Sequence, residues 1–256
     1  QDLEVFKKSF TIAMIVAMVS GLGIAGTGHW QAQHLMSSQP MKMAASEGLW
    51  EDSGDPASWS LIANIDEENR ENKWSVEIPY ALSILAYNSF EGSVEGMNTL
   101  QEKYTELYGE GDYIPPVGAV YWSFRIMVFA GVIIMGLAAL GLLFIKKNNL
   151  MNQSLYLKAM VGAIALPFIA NTAGWIMTEI GRQPWTVFGL YTTAQSVSPN
   201  VTAGELLTSI IVFLGAYTVL AVVLITLIVK QIKKGPYHTT DTKPDVDLFD
   251  KEAFGA

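Results

Sequence analysis

The sequence of 256 residues contains no cysteine. A disulfide, a thiolate metal site and a thiol nucleophile are therefore excluded. The sequence also shows no glycine-rich phosphate loop, no serine–histidine–aspartate set and no zinc-ligand pattern. Basic residues are few, since 16 lysines and arginines stand against 24 acids and give a formal net charge of −8. This charge balance argues against nucleic acid as a partner.

Histidine is almost as scarce, with three residues in the whole chain. His29 and His34 are five positions apart, whereas neighbours on one face of a helix are three or four residues apart. Both side chains are therefore predicted to be exposed or interfacial rather than paired metal ligands. His238, in the C-terminal tail, has no predicted role.

Long apolar runs are the dominant feature of the sequence, which is 50% hydrophobic and 16% charged. Four runs are long enough to cross a bilayer as helices. They are designated spans A to D and cover residues 10–28, 117–145, 159–177 and 206–229. Pro167 and Asn171 interrupt span C and predict a kink. The predicted fold class is an all-α membrane protein with about four transmembrane helices and a long extracytoplasmic loop between the first and second.

The distribution of lysine and arginine predicts the orientation of the chain. Ten of the 16 basic residues precede span A, separate spans B and C or follow span D, and such residues favour the cytoplasmic side. Both termini are therefore predicted to be cytoplasmic. The predicted segments are a lead-in together with span A (1–29), an extracytoplasmic loop (30–116), spans B to D (117–232) and a cytoplasmic tail (233–256).

The loop changes character along its length. Residues 31–50 are polar but helix-prone, and residues 51–72 are acidic with turn-forming residues. Residues 76–87 are apolar but too short to span, which predicts an interfacial or re-entrant segment. Lys42 and Glu47 are about 140° apart on a helix, so they would not pair with each other. They are either two solvated charges or two groups that reach different parts of one ligand, with the carboxylate as a proton acceptor.

Arg125 and Met127 lie inside span B. Arg125 is about two helical turns from the predicted outer end, where a guanidinium needs an anion or must extend to water. The sequence obliges no acid of this chain to meet it. Met127 is about 200° further around the helix, so the two side chains do not share a face. Met127 either fills a gap in the core or offers its thioether as a ligand.

A carboxylate stands just beyond the uncharged run of span C. Glu179 is a functional candidate because an unpartnered carboxylate at a membrane boundary is costly. Arg182 is three positions further on, so a simple ion pair on the helix surface is the other interpretation. Trp175 lies one turn before Glu179 on the same face. Trp185 follows Pro184 in the turn that ends this stretch.

Four stretches resemble the haem-carrying subunit I of cytochrome bd quinol oxidases. They are residues 39–47 (QPMKMAASE), 78–81 (IPYA), 124–127 (FRIM) and 174–185 (GWIMTEIGRQPW). These stretches come in the order, spacing and topology of the C-terminal half of that subunit, in its short quinol-loop form. The resemblance covers nearly the whole chain apart from the tail.

The resemblance implies a function and a set of site residues. The family oxidises quinol at the outer face and passes electrons through haems b558 and b595 to haem d, where dioxygen is reduced to water without proton pumping. The residues carried over are Lys42 and Glu47 for quinol binding and oxidation, Met127 as axial ligand of haem b558 with Arg125 beside it, Glu179 as axial ligand of haem b595, and Trp175, Arg182 and Trp185 lining the haem region.

The resemblance also implies partners and a location. The histidine ligands and proton-path glutamates of the family come from N-terminal spans that this sequence does not match. The expected partners are that N-terminal half, as a separate chain or a missing segment, the second subunit of the oxidase, a small single-helix subunit, and membrane lipid. The expected location is the cytoplasmic membrane of a prokaryote. Because the chain starts with Gln1 and shows no signal-peptide pattern, we expect a fragment, a processed chain or one half of a split protein.

A second interpretation needs no haem. The chain would then be a polytopic transporter or a structural membrane subunit, and Arg125 and Glu179 would mark a substrate path. A redox difference spectrum separates the two interpretations, because haem bands are expected only under the first.

Overall fold

The computed structural model describes residues 2–235, in which eight α-helices and two short antiparallel strand pairs form. The helices are α1 (Asp2–Ser38), α2 (Pro40–Glu47), α3 (Ala81–Tyr87), α4 (Met97–Tyr108), α5 (Val117–Lys146), α6 (Ser154–Ala163), α7 (Leu166–Ile180) and α8 (Ala203–Lys234), and the strands are β1 (Trp59–Asp66), β2 (Glu71–Ile78), β3 (Trp185–Val187) and β4 (Tyr191–Thr192). The chain divides into two compact units, one of Thr11–Val197 and one of Gln1–Phe10 with Ser198–Ala256.

The four predicted spans are confirmed as helices long and apolar enough to cross a membrane. They are Leu3–Ser38, Val117–Lys146, Ser154–Ile180 and Ala203–Lys234 among the described residues. Each is longer than its apolar run, because helical hydrogen bonding continues into the polar residues that flank it. The predicted lead-in is therefore helical from Asp2 onward. The predicted tail begins inside α8, and residues 236–256 lie outside the described part of the chain.

The helix of span C is interrupted beside Pro167, where the sequence predicts a kink. α6 ends at Ala163 and α7 begins at Leu166, with Pro167 in the first turn of α7. Proline is tolerated in the first turn of a helix, where its missing N–H would be unpaired anyway, but not in the interior. The break therefore falls directly before it. Within the same unit, α7 then packs along α5.

α8 begins with a reciprocal cap. The backbone N–H of Glu205 donates to the Thr202 hydroxyl at 3.3 Å, and the backbone N–H of Thr202 donates to the Glu205 carboxylate at 2.9 Å. This arrangement satisfies two backbone donors that the first helical turn leaves unpaired. It explains why the helix begins three residues before the uncharged run of span D.

The loop contains a β-hairpin that the sequence analysis does not predict. β1 pairs with β2 from Trp59 opposite Ile78 to Asp66 opposite Glu71. β2 alternates polar and apolar side chains, which is the pattern of a strand, but its apolar residues are few and solvent-exposed. Residues 76–87, predicted as one interfacial or re-entrant segment, are divided between the end of β2 and the short helix α3, and their place at the interface stays a prediction.

The main core lies where the loop meets the ends of α5 and α7. Its buried members are Met41, Ala44, Ala45, Trp50, Met97, Leu100, Tyr104, Tyr113, Val117, Val120, Met177 and Trp185. They come from α2 and the segment after it, α4, the segment before α5 and its first turn, the last turn of α7 and the turn after it. Burial of this apolar area fixes α2 against both long helices, and α2 carries two of the predicted site residues.

Gly96, which caps α4, is a point where the loop backbone crosses itself. A Cβ at this position would lie 2.2 Å from the carbonyl carbon of Glu51 and 2.7 Å from the backbone nitrogen of Asp52. Because backbone cannot yield as a side chain can, Gly96→Ala is expected to destabilise the loop by about 1–3 kcal/mol. Limited proteolysis of the native protein measures this loss. Gly111→Ala is the control, since its Cβ would make only ordinary contacts with Tyr113, and an equal effect of both substitutions would contradict the prediction.

Candidate functional site

α2 is a short helix whose polar side chains are buried. Pro40 occupies its first turn, and Gly48 ends it in the left-handed conformation at φ 67°, which glycine adopts without strain. Lys42 is 6% exposed and Glu47 is 2% exposed. The interpretation of these two residues as solvated loop charges is therefore wrong.

Glu47 pairs with Arg125 across the junction of the loop and α5. Nη2 of Arg125 lies 2.8 Å from a carboxylate oxygen of Glu47, and Arg125 is 1% exposed. The guanidinium also donates to the backbone carbonyls of Ser46 and Ser60. The alternative in which Arg125 extends to water is wrong. Its buried anion is the carboxylate of Glu47, although the sequence obliged no acid of this chain to meet it.

Three aromatic rings surround the same guanidinium. Its central carbon lies 4.0 Å from the ring centroid of Tyr121, 5.3 Å from that of Phe124 and 5.4 Å from that of Trp59. The Tyr121 hydroxyl lies 2.9 Å from the Ser60 hydroxyl. A cation over aromatic faces is stabilised by the ring quadrupoles, and more so away from water. The arrangement holds β1, α2 and α5 together at one point.

Glu47 also lines a large cleft on the loop. The cleft has a volume of about 770 Å³, and its wall includes Ser60, Glu71, Asn72 and Glu77. Burial raises the pKa of Glu47 to about 6, against the opposing attraction of Arg125. A carboxylate with that pKa is ionised near pH 7 and is still a competent proton acceptor.

Lys42 lines a different and smaller pocket. This pocket has a volume of about 110 Å³ and is formed with Arg182, Gln183 and Trp185, among others, in the turn that follows α7. Burial, and then the neighbouring Arg182 guanidinium, lower the pKa of Lys42 from its ordinary value, and Glu179 partly offsets them. Lys42 and Glu47 thus line two separate cavities, both beside α2.

Glu179 and Arg182 form the ion pair that their spacing allows. A guanidinium nitrogen lies 2.6 Å from a carboxylate oxygen, and the Glu179 side chain is 43% exposed. An exposed pair of this kind contributes little to stability. The carboxylate is also partly accessible, and the predicted role of Glu179 toward haem iron stays a prediction.

The two tryptophans predicted to line the haem region lie in contrasting surroundings. Trp185 is buried and stacks on Tyr113, with ring centroids 5.5 Å apart and planes at 13°. Its indole N–H has no hydrogen-bond partner among the described residues. Trp175 is 60% exposed on α7. Trp185 therefore belongs to the pocket of Lys42, whereas Trp175 presents its ring outward one turn before Glu179.

Met127 is partly buried between α5 and α7. Its sulfur would lie 2.9 Å from a Cβ at Gly174, so the missing side chain of that glycine leaves room for the thioether. The sequence analysis did not connect these two positions, which are far apart in the chain and carry no common motif. Of the histidines, His34 is exposed, and His29 is partly buried with a ring nitrogen 2.8 Å from the Asn88 side-chain oxygen.

The donor set of the described residues fits haem iron better than a bare metal ion. No group of three or more His, Cys, Asp or Glu side chains comes together within the described part of the chain. A porphyrin supplies four nitrogens itself and asks the protein for one or two axial ligands. Met127 offers a thioether and Glu179 a half-exposed carboxylate of the kinds that can serve as axial ligands, and their predicted roles toward haem iron stay predictions.

Comparisons with known proteins agree on one family. A family model described as cytochrome bd terminal oxidase subunit I matches residues 1–236. The chain is 56% identical over 257 residues to cytochrome bd ubiquinol oxidase subunit 1 of Bacillus subtilis, covering 99% of this chain and 55% of that protein. It is 27% identical over 300 residues to cytochrome bd-II ubiquinol oxidase subunit 1 of Escherichia coli, covering 95% and 58%.

A solved structure agrees with the sequence comparisons. The chain matches the bd oxidase of Geobacillus thermodenitrificans with a TM-score of 0.74 and 31% identity, covering 90% of this chain and 50% of that one. The chain thus spans about half the length of the relatives it matches. On these grounds it is a membrane protein that belongs to the cytochrome bd terminal oxidase subunit I family.

Proposed function

We propose that the chain is a haem-bearing component of a quinol:dioxygen oxidoreductase, which oxidises quinol at the outer face and passes electrons through haems b558 and b595 to haem d. Its relatives are named ubiquinol oxidase subunits. The observation that carries the proposal is the buried pair of Glu47 and Arg125. This pair joins the loop that would bind quinol to the helix that carries Met127, two positions from Arg125.

On the quinol side, Glu47 is the proton acceptor. Its carboxylate is held by Arg125 and lines the large cleft, which has the room that a quinol ring needs. A quinol that loses an electron becomes a stronger acid, so a fixed carboxylate beside it removes the proton as oxidation proceeds. Lys42, the other residue that the resemblance assigns to quinol, lines the separate small pocket. Lys42 does not line the large cleft, so a quinol bound there does not contact it through the wall of that cleft.

On the haem side, Met127 and Glu179 have suitable donor atoms. The thioether of Met127 would hold the iron of haem b558, and the carboxylate of Glu179 would hold that of haem b595. Bound haem supplies one-electron transfer and, at haem d, dioxygen chemistry. Arg182 orients the Glu179 carboxylate through the 2.6 Å contact. Trp185 fixes the turn that follows, and Trp175 offers its exposed ring to a macrocycle.

Further protein must complete these haem sites. The residues that we assign to haem iron are one thioether and one carboxylate, so the remaining axial ligands would come from the N-terminal half of subunit I, as a separate chain or a missing segment. The second oxidase subunit, a small single-helix subunit and membrane lipid are the other proposed partners. We place the chain in a prokaryotic cytoplasmic membrane with both termini cytoplasmic and the loop outside. Mass spectrometry of the intact assembly tests the partner set.

A reduced-minus-oxidised difference spectrum of membranes containing the assembled protein is the direct test of the proposal. Bands of low-spin and high-spin haem b and of haem d are expected. Their absence from a correctly inserted chain would favour the transporter or structural subunit instead. The spectrum needs no substrate, so its outcome does not depend on which quinone the protein uses.

Quinol oxidation is expected to slow as the pH falls through about 6. The folded pKa of Glu47 is about 6, above the ordinary 4.5, so the carboxylate is protonated below that pH and can no longer accept a proton. We expect kcat/KM for quinol to fall about tenfold per pH unit on this limb. Glu47→Gln should lower the rate at pH 7 and remove the limb. Glu77→Gln, on the wall of the same cleft, is the control that should keep it. A limb that persists in Glu47→Gln contradicts the assignment.

A further inference from the structure

The short loop helix α3 is apolar on two opposite sides. Leu82 and Ala86 are buried on one side in a second core cluster of the loop, with Ala57 and Val94. The side chains on the other side are also apolar, but they are exposed. With the aromatic residues that flank the helix they form the α3 face, which consists of Tyr80, Ile84, Leu85, Tyr87 and Phe90. A helix that is apolar all round is typically covered on every side, and the described residues leave the α3 face uncovered.

No charged residue interrupts this part of the loop. Residues 78–90 contain no Asp, Glu, Lys or Arg, whereas 15 of the 24 acids of the chain lie in the rest of the loop. The rings of Tyr80 and Phe90, which stand before and after α3, pack edge to face with centroids 6.3 Å apart. Three aromatic rings and two large aliphatic side chains without a charge are the composition of a segment at a membrane–water interface.

Hydrogen bonds attach α3 to the loop end of span A. A ring nitrogen of His29 lies 2.8 Å from the side-chain oxygen of Asn88, the residue that ends α3. The side-chain amide of Gln33 donates to the backbone carbonyl of Leu85 at 3.4 Å. His29 and Gln33 belong to α1, which continues as one helix from the apolar run to Ser38. The level of α3 along the bilayer normal therefore follows from that of span A.

That level is the headgroup layer of the bilayer. As a helix, the apolar run of residues 10–28 is about 28 Å long, which matches a hydrocarbon core of about 30 Å. His29 and Gln33 lie about 1.5 and 7.5 Å beyond its end along the helix axis. Each headgroup layer is about 5–8 Å thick. Trp30, which is exposed next to His29, is of a residue type enriched at this level.

A re-entrant segment is the less suitable interpretation of α3. Such a segment would pass into the hydrocarbon core, where backbone that is exposed to lipid cannot be tolerated outside a helix or a closed barrel. Leu82 and Ala86 instead hold α3 against the loop core, and both hydrogen bonds reach residues beyond the apolar run of span A. The α3 face therefore meets the bilayer from its surface.

We propose that the α3 face lies in the headgroup layer on the loop side of the membrane, with its rings and aliphatic side chains in contact with phospholipid. The inference needs neither a haem nor a quinol. It has a consequence for the large cleft, because β2 ends at Ile78, shortly before α3, and Glu77 of β2 lines that cleft. Contact of the α3 face with lipid fixes this wall of the cleft close to the bilayer.

Site-directed spin labelling tests the inference, since the chain has no cysteine of its own. Leu85→Cys and Phe90→Cys are labelled one at a time in the assembled protein in phosphatidylcholine nanodiscs, and the unsubstituted assembly gives the background from other chains. Power-saturation EPR compares collisions of the label with oxygen, which concentrates in lipid, and with a water-soluble nickel chelate. Oxygen collisions should exceed nickel collisions at both positions. The order should reverse for Glu102→Cys, at an exposed acidic position of α4.

Each of the other outcomes would overturn the inference. Labels that meet the nickel chelate as freely as the label at position 102 would place the α3 face in water. Labels shielded from both reagents would show that a protein partner covers it. A measured depth inside the hydrocarbon core would make α3 re-entrant. If either substituted chain fails to accumulate, Ile84→Cys takes its place, because Ile84 is an exposed member of the same face.

Discussion

Replacing Arg125 with methionine is expected to raise the rate of proteolytic cleavage in the loop by at least about a hundredfold. Removing one partner of a buried ion pair costs about 3–5 kcal/mol, because the other charge stays buried and unpaired. Here Glu47 would be left 2% exposed without its guanidinium. The backbone carbonyls of Ser46 and Ser60 would lose the same donor, and the rings around Arg125 would lose their cation.

Limited proteolysis under native conditions measures this effect in the membrane-bound protein. Cleavage that is slow compared with reclosing follows the population of the open loop, so each 1.4 kcal/mol gives about a tenfold change in rate. Lys103→Met removes one partner of an exposed ion pair and should change the rate by less than about fivefold, because such pairs contribute about 0–1 kcal/mol.

The double substitution Glu47→Gln with Arg125→Met separates loss of the ion pair from the cost of leaving a lone charge buried. Burial raises the pKa of Glu47 despite the attraction of Arg125, so burying this ionised carboxylate is unfavourable even when it is paired. A neutral amide beside a thioether avoids that penalty. The double variant should therefore be cleaved more slowly than Arg125→Met alone. Equal rates would indicate that Arg125 acts through its aromatic and backbone contacts instead.

The sequence predicted the spans and the interruption beside Pro167 because their causes are local. A run of apolar residues has its length in the sequence itself, and Pro167 breaks a helix by its own ring and missing donor. The β-hairpin was missed for the opposite reason. In β2 the apolar residues are few and mostly exposed, and β1 packs Trp59 and Ile65 against the loop core, contacts that the local sequence pattern does not reveal.

The site was predicted in its residue types but not in its arrangement. The need of Arg125 for an anion was evident from its place in an apolar run, yet its partner is 78 positions away. Most of the acids in the chain lie in the loop or at its borders, and nothing in their spacing distinguishes Glu47. The division of Lys42 and Glu47 between two cavities depends on which faces of α2 the core covers, which the order of residues along one short helix does not determine.

Met127→Leu is expected to abolish the low-spin haem b signal while the chain still accumulates in the membrane. Leucine has nearly the volume of methionine and costs less than about 1.5 kcal/mol as a core replacement, so packing against Gly174 survives. It has no sulfur to bind iron. Low-spin haem needs two strong axial ligands, so loss of the thioether leaves the iron high-spin or the haem unbound. The reduced-minus-oxidised spectrum of membranes measures the change.

Met135→Leu is the matched control for this experiment. Met135 lies on the same helix and also faces a glycine, since its Cγ would lie 2.9 Å from a Cβ at Gly21. Each substitution removes one methionine sulfur from α5 at a contact with a glycine, so any general effect of losing a methionine from this helix appears in both variants. Only iron ligation distinguishes them. A full low-spin signal in Met127→Leu would mean that Met127 only packs against Gly174. The assignment of Met127 as an iron ligand would then be wrong. Loss of the signal in both variants would point to packing of α5 rather than to a bond between sulfur and iron.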